Sequence, residues 1–292
     1  MIMDSSPTIS VIMPTFNEST YIESTLQSLS EQSWEKIEII VVDGKSTDDT
    51  IEKIQSFEPK FQRVKVLVND PKINQSFARN RGMMHAEGDY IVFHDADDLS
   101  VPARFEKQAK YLQDHSHVGA VGSSFYYVNP NRNEKTIRDR PEGHKSIRKS
   151  LARSCPIHIG SAMFRRDALA QTHLFRSEYA EVYEILIDLV GNGWELHNIQ
   201  EPLFVYRINE GSISREGQFE QKLSLVKRNY QAVTRLNLPV WNLIMSLGWF
   251  VYMYSPSEVK RKIRRVFAPD SDQQLTSEER RDLNKLLEQN NG

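Results

Sequence analysis

The sequence predicts an α/β fold with a mostly parallel central sheet and helices on both faces, and three observations predict it. Short β-branched runs recur at regular spacing, an amphipathic stretch follows each, and turn or capping residues lie between them. Ile9-Ser10-Val11-Ile12-Met13 reads as a buried strand stopped by Pro14. From Asn17-Glu18 onward, Ile22, Leu26 and Leu29 share one helical face. Ile37 to Val42 repeats the strand signal, and Ser46-Thr47-Asp48-Asp49 supplies capping residues before Ile51, Ile54 and Phe57. Val64 to Val68 leads through Asn74-Gln75-Ser76 into a helical segment from Phe77 to His85. Tyr90 to Phe93 ends at an acidic cluster, after which Pro102 opens a helix through Leu112.

In such a sheet ligands bind at the carboxyl ends of the strands. That rule selects three loops: Pro14 to Glu18, Asp43 to Asp49, and His94 to Leu99. Beyond Val118 the alternation breaks down into a strand-like Val118 to Val128, a polar stretch to Gly143 and short mixed elements to Arg215. The division expected is 1–115 for a ligand-binding half, 116–215 for a second half of the same domain, and 216–292 for a C-terminal helical extension. Its last part, from Ser271, is expected to be a solvated helix with frayed ends.

At 292 residues, 39% hydrophobic and 26% charged, the chain has the makeup of an ordinary folded protein. A net charge of -2 gives no global signal for nucleic-acid binding. Cys155 is the only cysteine, which excludes an intramolecular disulfide and a cysteine-rich zinc cluster and suits a reducing compartment. Met1 to Thr8 has no basic region leading into a long apolar stretch, so the catalytic part is expected in the cytoplasm. Neither of the first two strands is followed by Gly-x-Gly-x-x-Gly, which argues against dinucleotide binding. The first strand also lacks the aspartate nucleophile expected of a phosphatase-like hydrolase.

An apolar strand that delivers Asp95, Asp97 and Asp98 to one loop concentrates like charges that a hard cation, Mn2+ or Mg2+, would neutralise. The same three residues also fit a solvated loop with a helix cap. Asp43 follows a buried strand and precedes Gly44, where a carboxylate can accept from a base N–H; a turn residue is the other reading.

Four segments in order, Val11-Ile12-Met13-Pro14-Thr15-Phe16-Asn17-Glu18, Val41-Val42-Asp43-Gly44-Lys45-Ser46-Thr47-Asp48, Ala78-Arg79-Asn80-Arg81-Gly82 and Phe93-His94-Asp95-Ala96-Asp97-Asp98, resemble the family 2 glycosyltransferases. The likeness continues through Pro156-Ile157-His158 and Glu201 to Arg207, covering roughly residues 8 to 215. The resemblance implies a GT-A type nucleotide-sugar-binding fold, a nucleotide-sugar donor (commonly a UDP-sugar), a glycan or lipid-linked acceptor and a Mn2+ or Mg2+ cofactor, in bacterial polysaccharide biosynthesis. It also implies that Pro14, Thr15, Phe16, Glu18 and Asp43 hold the nucleobase side of the donor, with Asp43 taking the uracil N3–H. Arg79 would lie near the phosphates, Asp95 near ribose and diphosphate, and Asp97 on the metal. His158 would line the acceptor side, although a hydrogen-bonded structural histidine fits it too.

Three departures from the family pattern matter. Gly44-Lys45 stands where relatives often read Asp-Gly. Val182 occupies the position of the usual general base, leaving Glu181 as the candidate base and Glu184 as its alternative, while a helix-surface glutamate describes either one equally. Asn209 stands where relatives frequently place a histidine. Val182 and Asn209 together motivate an alternative, a catalytically weak nucleotide-sugar-binding or assembly protein.

Trp241 to Tyr254 is apolar over roughly 15 residues, short of the ~20 that span a bilayer. Its aromatics and the following Lys260, Arg261, Lys262, Arg264 and Arg265 suit a membrane surface contact through 240–265 on the inner face of the cell membrane; packing on protein is the competing reading.

Overall fold

The structure is a computed structural model and describes residues 6–70, 74–176, 181–209, 219–244, 248, 255 and 272–290. The first half alternates as the pattern predicts: β1 (Ile9–Thr15), α1 (Ile22–Ser30), β2 (Ile37–Asp43), α2 (Thr50–Ser56), β3 (Arg63–Val68), α3 (Gln75–Met83) and β4 (Tyr90–Phe93). These strands lie parallel in the order β3-β2-β1-β4. Pro14 does not stop β1. Its missing N–H is tolerated because the strand is ending, and Thr15 still pairs with Asp43.

Alternation along the strands divides the interior in two. Ile12, Ile40, Val42 and Phe93 pack on one face with α3, whereas Val11, Met13, Ile39, Val41 and Val92 pack on the other with α1. Side chains of this size contribute roughly 1.5–3 kcal/mol each on burial, so a one-residue slip of β1 would forfeit both faces. Gly82 lets α3 approach closely: a Cβ there would lie 2.4 Å from Ile12 Cγ2.

The second half mixes directions. It comprises β5 (Leu99–Ser100), α4 (Arg104–Asp114), β6 (Val118–Asn129), β7 (Glu134–Arg138), α5 (His144–Ser150), β8 (Met163–Arg165), α6 (Arg166–Ala170), α7 (Glu181–Gly191), β9 (Glu195–Arg207) and α8 (Phe219–Arg235). β8 runs antiparallel between β4 and β6, which extends one sheet across both halves, and β9 runs parallel to β6.

The tail differs from the solvated helix expected. β10 (Asp272–Gln274) pairs with the edge strand β7, and the following helix, α9 (Ser277–Gln289), buries Leu283 and Leu286 against Tyr126, Val128, Ile137 and Val205. Thr276 and Glu279 form a capping box at its start. The charged majority of α9 concealed an apolar stripe only two turns long. Of the 240–265 segment only 240–244, 248 and 255 are described, so its expected membrane contact lies largely outside the described residues; among them, no helix is long and apolar enough to cross a membrane.

Candidate active site

The parallel register ends β1 and β2 side by side, and their loops are stitched together. Gly44 N donates to Thr15 O (2.9 Å), Asn17 N to Ser46 Oγ (2.9 Å), Thr47 N to Asn17 Oδ1 (2.9 Å) and Glu18 N to Thr50 Oγ1 (2.9 Å). Asn17 and Lys45 hold left-handed backbones, φ 54° and 64°; asparagine tolerates this conformation, and at Lys45 it is the conformation a glycine adopts freely. Desolvation raises the Asp48 carboxyl, but hydrogen bonds from Thr50 and Ser19 outweigh it and hold it down at about 2.

Asp43 is buried at the seam. Its Oδ1 accepts from Thr15 Oγ1 (3.2 Å) and Ser46 Oγ (2.5 Å), and its Oδ2 accepts from Ser46 N (2.9 Å). A carboxylate accepts about four hydrogen bonds, so one site on Oδ2 stays open to a ligand N–H. Pro14 is half-buried beside it, and Phe16 projects an exposed ring that Gly44 flanks closely.

The acidic loop after β4 is held from beneath. Thr25 Oγ1 on α1 donates to the carbonyls of Ala96 (2.8 Å) and Asp98 (2.9 Å). Arg207, at the end of β9, donates through its backbone N to Asp98 Oδ1 (2.9 Å), through Nε to the Asp97 carbonyl and through Nη2 to Ser24 Oγ (3.0 Å). Asp95 accepts from Arg79 Nη2 (2.8 Å) and Gln75 Nε2 (3.1 Å), both on α3. Arg79 is buried and spends one arm on a carboxylate, so it reaches the site through Asp95.

Like charges dominate this corner. Burial, then Asp95, pushes the Asp97 carboxyl up to about 6 against Arg207 and Asn209, which lower it. Burial, then Asp97, Asp95 and Asp48, raises Glu18 to about 7, which ties the loop after β1 to the acidic loop. Burial with the charges of Asp97 and Asp95 lifts Asp98 well above the usual carboxylate range, and its Oδ2 is buried with no hydrogen-bond partner. The oxygen donors and unrelieved negative charge fit a hard divalent cation. Among the described residues no group of three or more His, Cys, Asp or Glu side chains is arranged to hold a metal by itself.

His158 lies apart from the acidic loop, its ring 4.7 Å from Phe125, 5.6 Å from Phe204 and 5.0 Å from Tyr206. Glu184 forms an ion pair with Arg228 on α8 (2.8 Å), and Val182 packs against the core. Glu181 opens α7, and its side chain lies outside what the structure describes. Arg207 and Gln75 were not singled out from sequence, although a cation closing the apolar run Leu203 to Tyr206 was the available signal for Arg207.

Known proteins share the sequence pattern and the fold of this chain. The profile described as Glycosyl transferase family 2 matches residues 10–173. A protein of Bacillus subtilis (strain 168), provisionally named as the glycosyltransferase EpsE, is 27% identical over 270 residues, covering 90% of this chain and 95% of its own. The crystal structure of S. aureus TarS 1–349 with UDP-GlcNAc superposes with a TM-score of 0.62 at 20% identity, covering 87% of this chain and 83% of that one. The mannosyltransferase PcManGT from Pyrobaculum calidifontis, in complex with GDP-Man and Mn2+, gives 0.57 at 21% identity, covering 90% and 85%. At such identities these two show the fold, which is GT-A.

Proposed function

Because the chain belongs to glycosyl transferase family 2, we propose that it moves a sugar from a UDP-sugar to a glycan or lipid-linked acceptor, with inversion, in surface polysaccharide biosynthesis. The observation that carries this reading is the convergence of Asp43, Glu18, Asp95 and Asp97 on the carboxyl ends of β1, β2 and β4.

The open acceptor site of Asp43 takes the N3–H of uracil, and Phe16 offers its ring face to the base. Asp95, fixed by Arg79 and Gln75, faces ribose and diphosphate. Asp97, with Asp95 beside it, would hold Mn2+ or Mg2+, which when bound offsets charge growing on the departing diphosphate. Glu181 takes the proton of the acceptor hydroxyl as the anomeric carbon is attacked from the opposite face; Glu184 is the less suited carboxylate because Arg228 engages it.

The second reading, a nucleotide-sugar-binding partner without turnover, is favoured by Val182 and Asn209. One experiment separates the two: UDP release from a panel of UDP-sugars, with Mn2+ present and absent, alongside UDP affinity. Mn2+-dependent release supports a transferase, tight UDP binding without release under any condition supports the binding protein, and absence of both removes the donor assignment.

A further inference from the structure

The face of β6, β7 and β9 that turns away from α9 joins aromatic rings to guanidinium groups. Tyr126 and Val128 pack beneath α9, so alternation turns Phe125 and Tyr127 to the other side. The register sets Phe125 beside Arg138, and Tyr127 between Thr136 and Tyr206. Arg138 lies over the Tyr127 ring at 4.6 Å, and Arg140 over Phe125 at 4.9 Å. Tyr127, Tyr206, Arg138 and Arg140 are all part-exposed. Two polar atoms on this face, Thr136 Oγ1 and His158 Nδ1, are buried with no hydrogen-bond partner.

Each of these observations points to a ligand of one kind. Tyrosine faces with polar rims suit a sugar ring, and arginine forks suit an oxyanion. Unpartnered buried polar atoms suit hydroxyl groups that arrive with the ligand. Burial holds His158 down at about 3, with the charges of Arg140, Arg104 and Arg79 adding to it, so four cations bear on this region. Opposing them, Glu134 meets Arg138 at 3.3 Å and Asp139 accepts from Ser124 Oγ at 3.4 Å, both at part-exposed or exposed positions where a better-placed anion can compete. The face is continuous with the donor corner. The two meet at Phe204, whose ring lies 5.6 Å from both His158 and His94, and His94 directly precedes Asp95.

We propose that this face is the acceptor subsite and that it takes a saccharide carrying a fixed negative charge, a uronate or a phosphodiester, with rings stacked on Tyr127 and Tyr206 and the anion held by Arg138 and Arg140. The proposal rests on the glycosyltransferase reading.

The test uses the full chain and three probes of similar length: a uronate oligosaccharide, a glycerol phosphate oligomer and a neutral oligosaccharide. UDP affinity is measured alongside as the report on the donor half. At least one charged probe is expected to bind about tenfold or more tightly than the neutral one, with affinity falling as salt rises. The double variant Arg138→Gln/Arg140→Gln should lose that preference, and the pair Arg138→Lys/Arg140→Lys should recover part of it. The uronate and phosphate arms tell the two anion sources apart. Equal binding of charged and neutral probes, or an unaltered preference in the folded glutamine variant, overturns the proposal. If the glutamine variant does not fold, the wild-type comparison and its salt dependence decide. Loss of UDP binding in the wild type condemns the donor reading instead.

Discussion

Asn209 donates its side-chain amide to Asp97 Oδ2 at 2.9 Å, joining the end of β9 to the acidic loop after β4 across 112 residues. The amide occupies one acceptor position of the carboxylate proposed to hold the metal. Asp97→Ala should abolish metal-dependent turnover while leaving the melting temperature nearly unchanged. Retained activity would remove Asp97 from the metal site. Asn209→His should tighten Mn2+ binding several-fold, about 1 kcal/mol, read by titrating Mn2+ against thermal stability with UDP present.

The pH dependence follows from the crowded carboxylates. Glu18 at about 7 and Asp97 at about 6 bind protons more tightly folded than unfolded, so they stabilise the metal-free protein at low pH. That contribution is full below about pH 4 and is lost as pH rises from there through 6 and 7, the folded-state values of Asp97 and Glu18. Buried His94 and His158, held at about 3, act oppositely: their stability is present above 6.5 and lost as pH falls. The clean readout is therefore the difference between wild type and Glu18→Gln, measured metal-free. The variant should gain stability relative to wild type as pH rises from about 4.5 to 7 and hold that gain above it, and a constant difference across this range would contradict the assigned charge crowding.

Asp43→Asn should weaken UDP binding by about tenfold to a hundredfold, the loss of roughly 1–3 kcal/mol when a charged acceptor is removed from a buried N–H. Ser46→Ala serves as the control, because it loosens the loop and leaves the carboxylate in place. Equal losses in both variants would assign Asp43 to loop structure alone.

Glu181→Gln should lower kcat at least a hundredfold with UDP affinity preserved. An unchanged kcat would transfer the role of base elsewhere.

Gly82→Ala should destabilise the protein by roughly 1–3 kcal/mol through overpacking against Ile12, measured by denaturant unfolding. Arg79 shares this helix, so the same variant should also weaken UDP binding.

The first half was legible in sequence because β1, β2 and β4 are buried on both faces and α1 turns one apolar face inward, so period alone separates them. Pro14 misled the reading by one step: proline ends most strands, but at the last positions of β1 it displaces no ladder bond that matters. The tail was misread for a related reason. Leu283 and Leu286 sit among charges, and only the distant partners Tyr126 and Ile137 reveal that they have somewhere to go. Within the site, Asp43, Asp95 and Asp97 could be found because they follow strands. Arg207 could not be assigned a role, and Asn209 stood out only as a departure from the family pattern, since their partners lie about a hundred residues upstream.

The docking of α9 and β10 has a temporal corollary. Tyr126, Val128 and Ile137 leave the ribosome long before Leu283, and synthesis at about 5–20 residues per second separates them by seconds. Until residues 272–290 emerge, the β7 edge and the apolar surface beside it have no cover from this source, so the nascent chain presents an adhesive border that chaperones can engage.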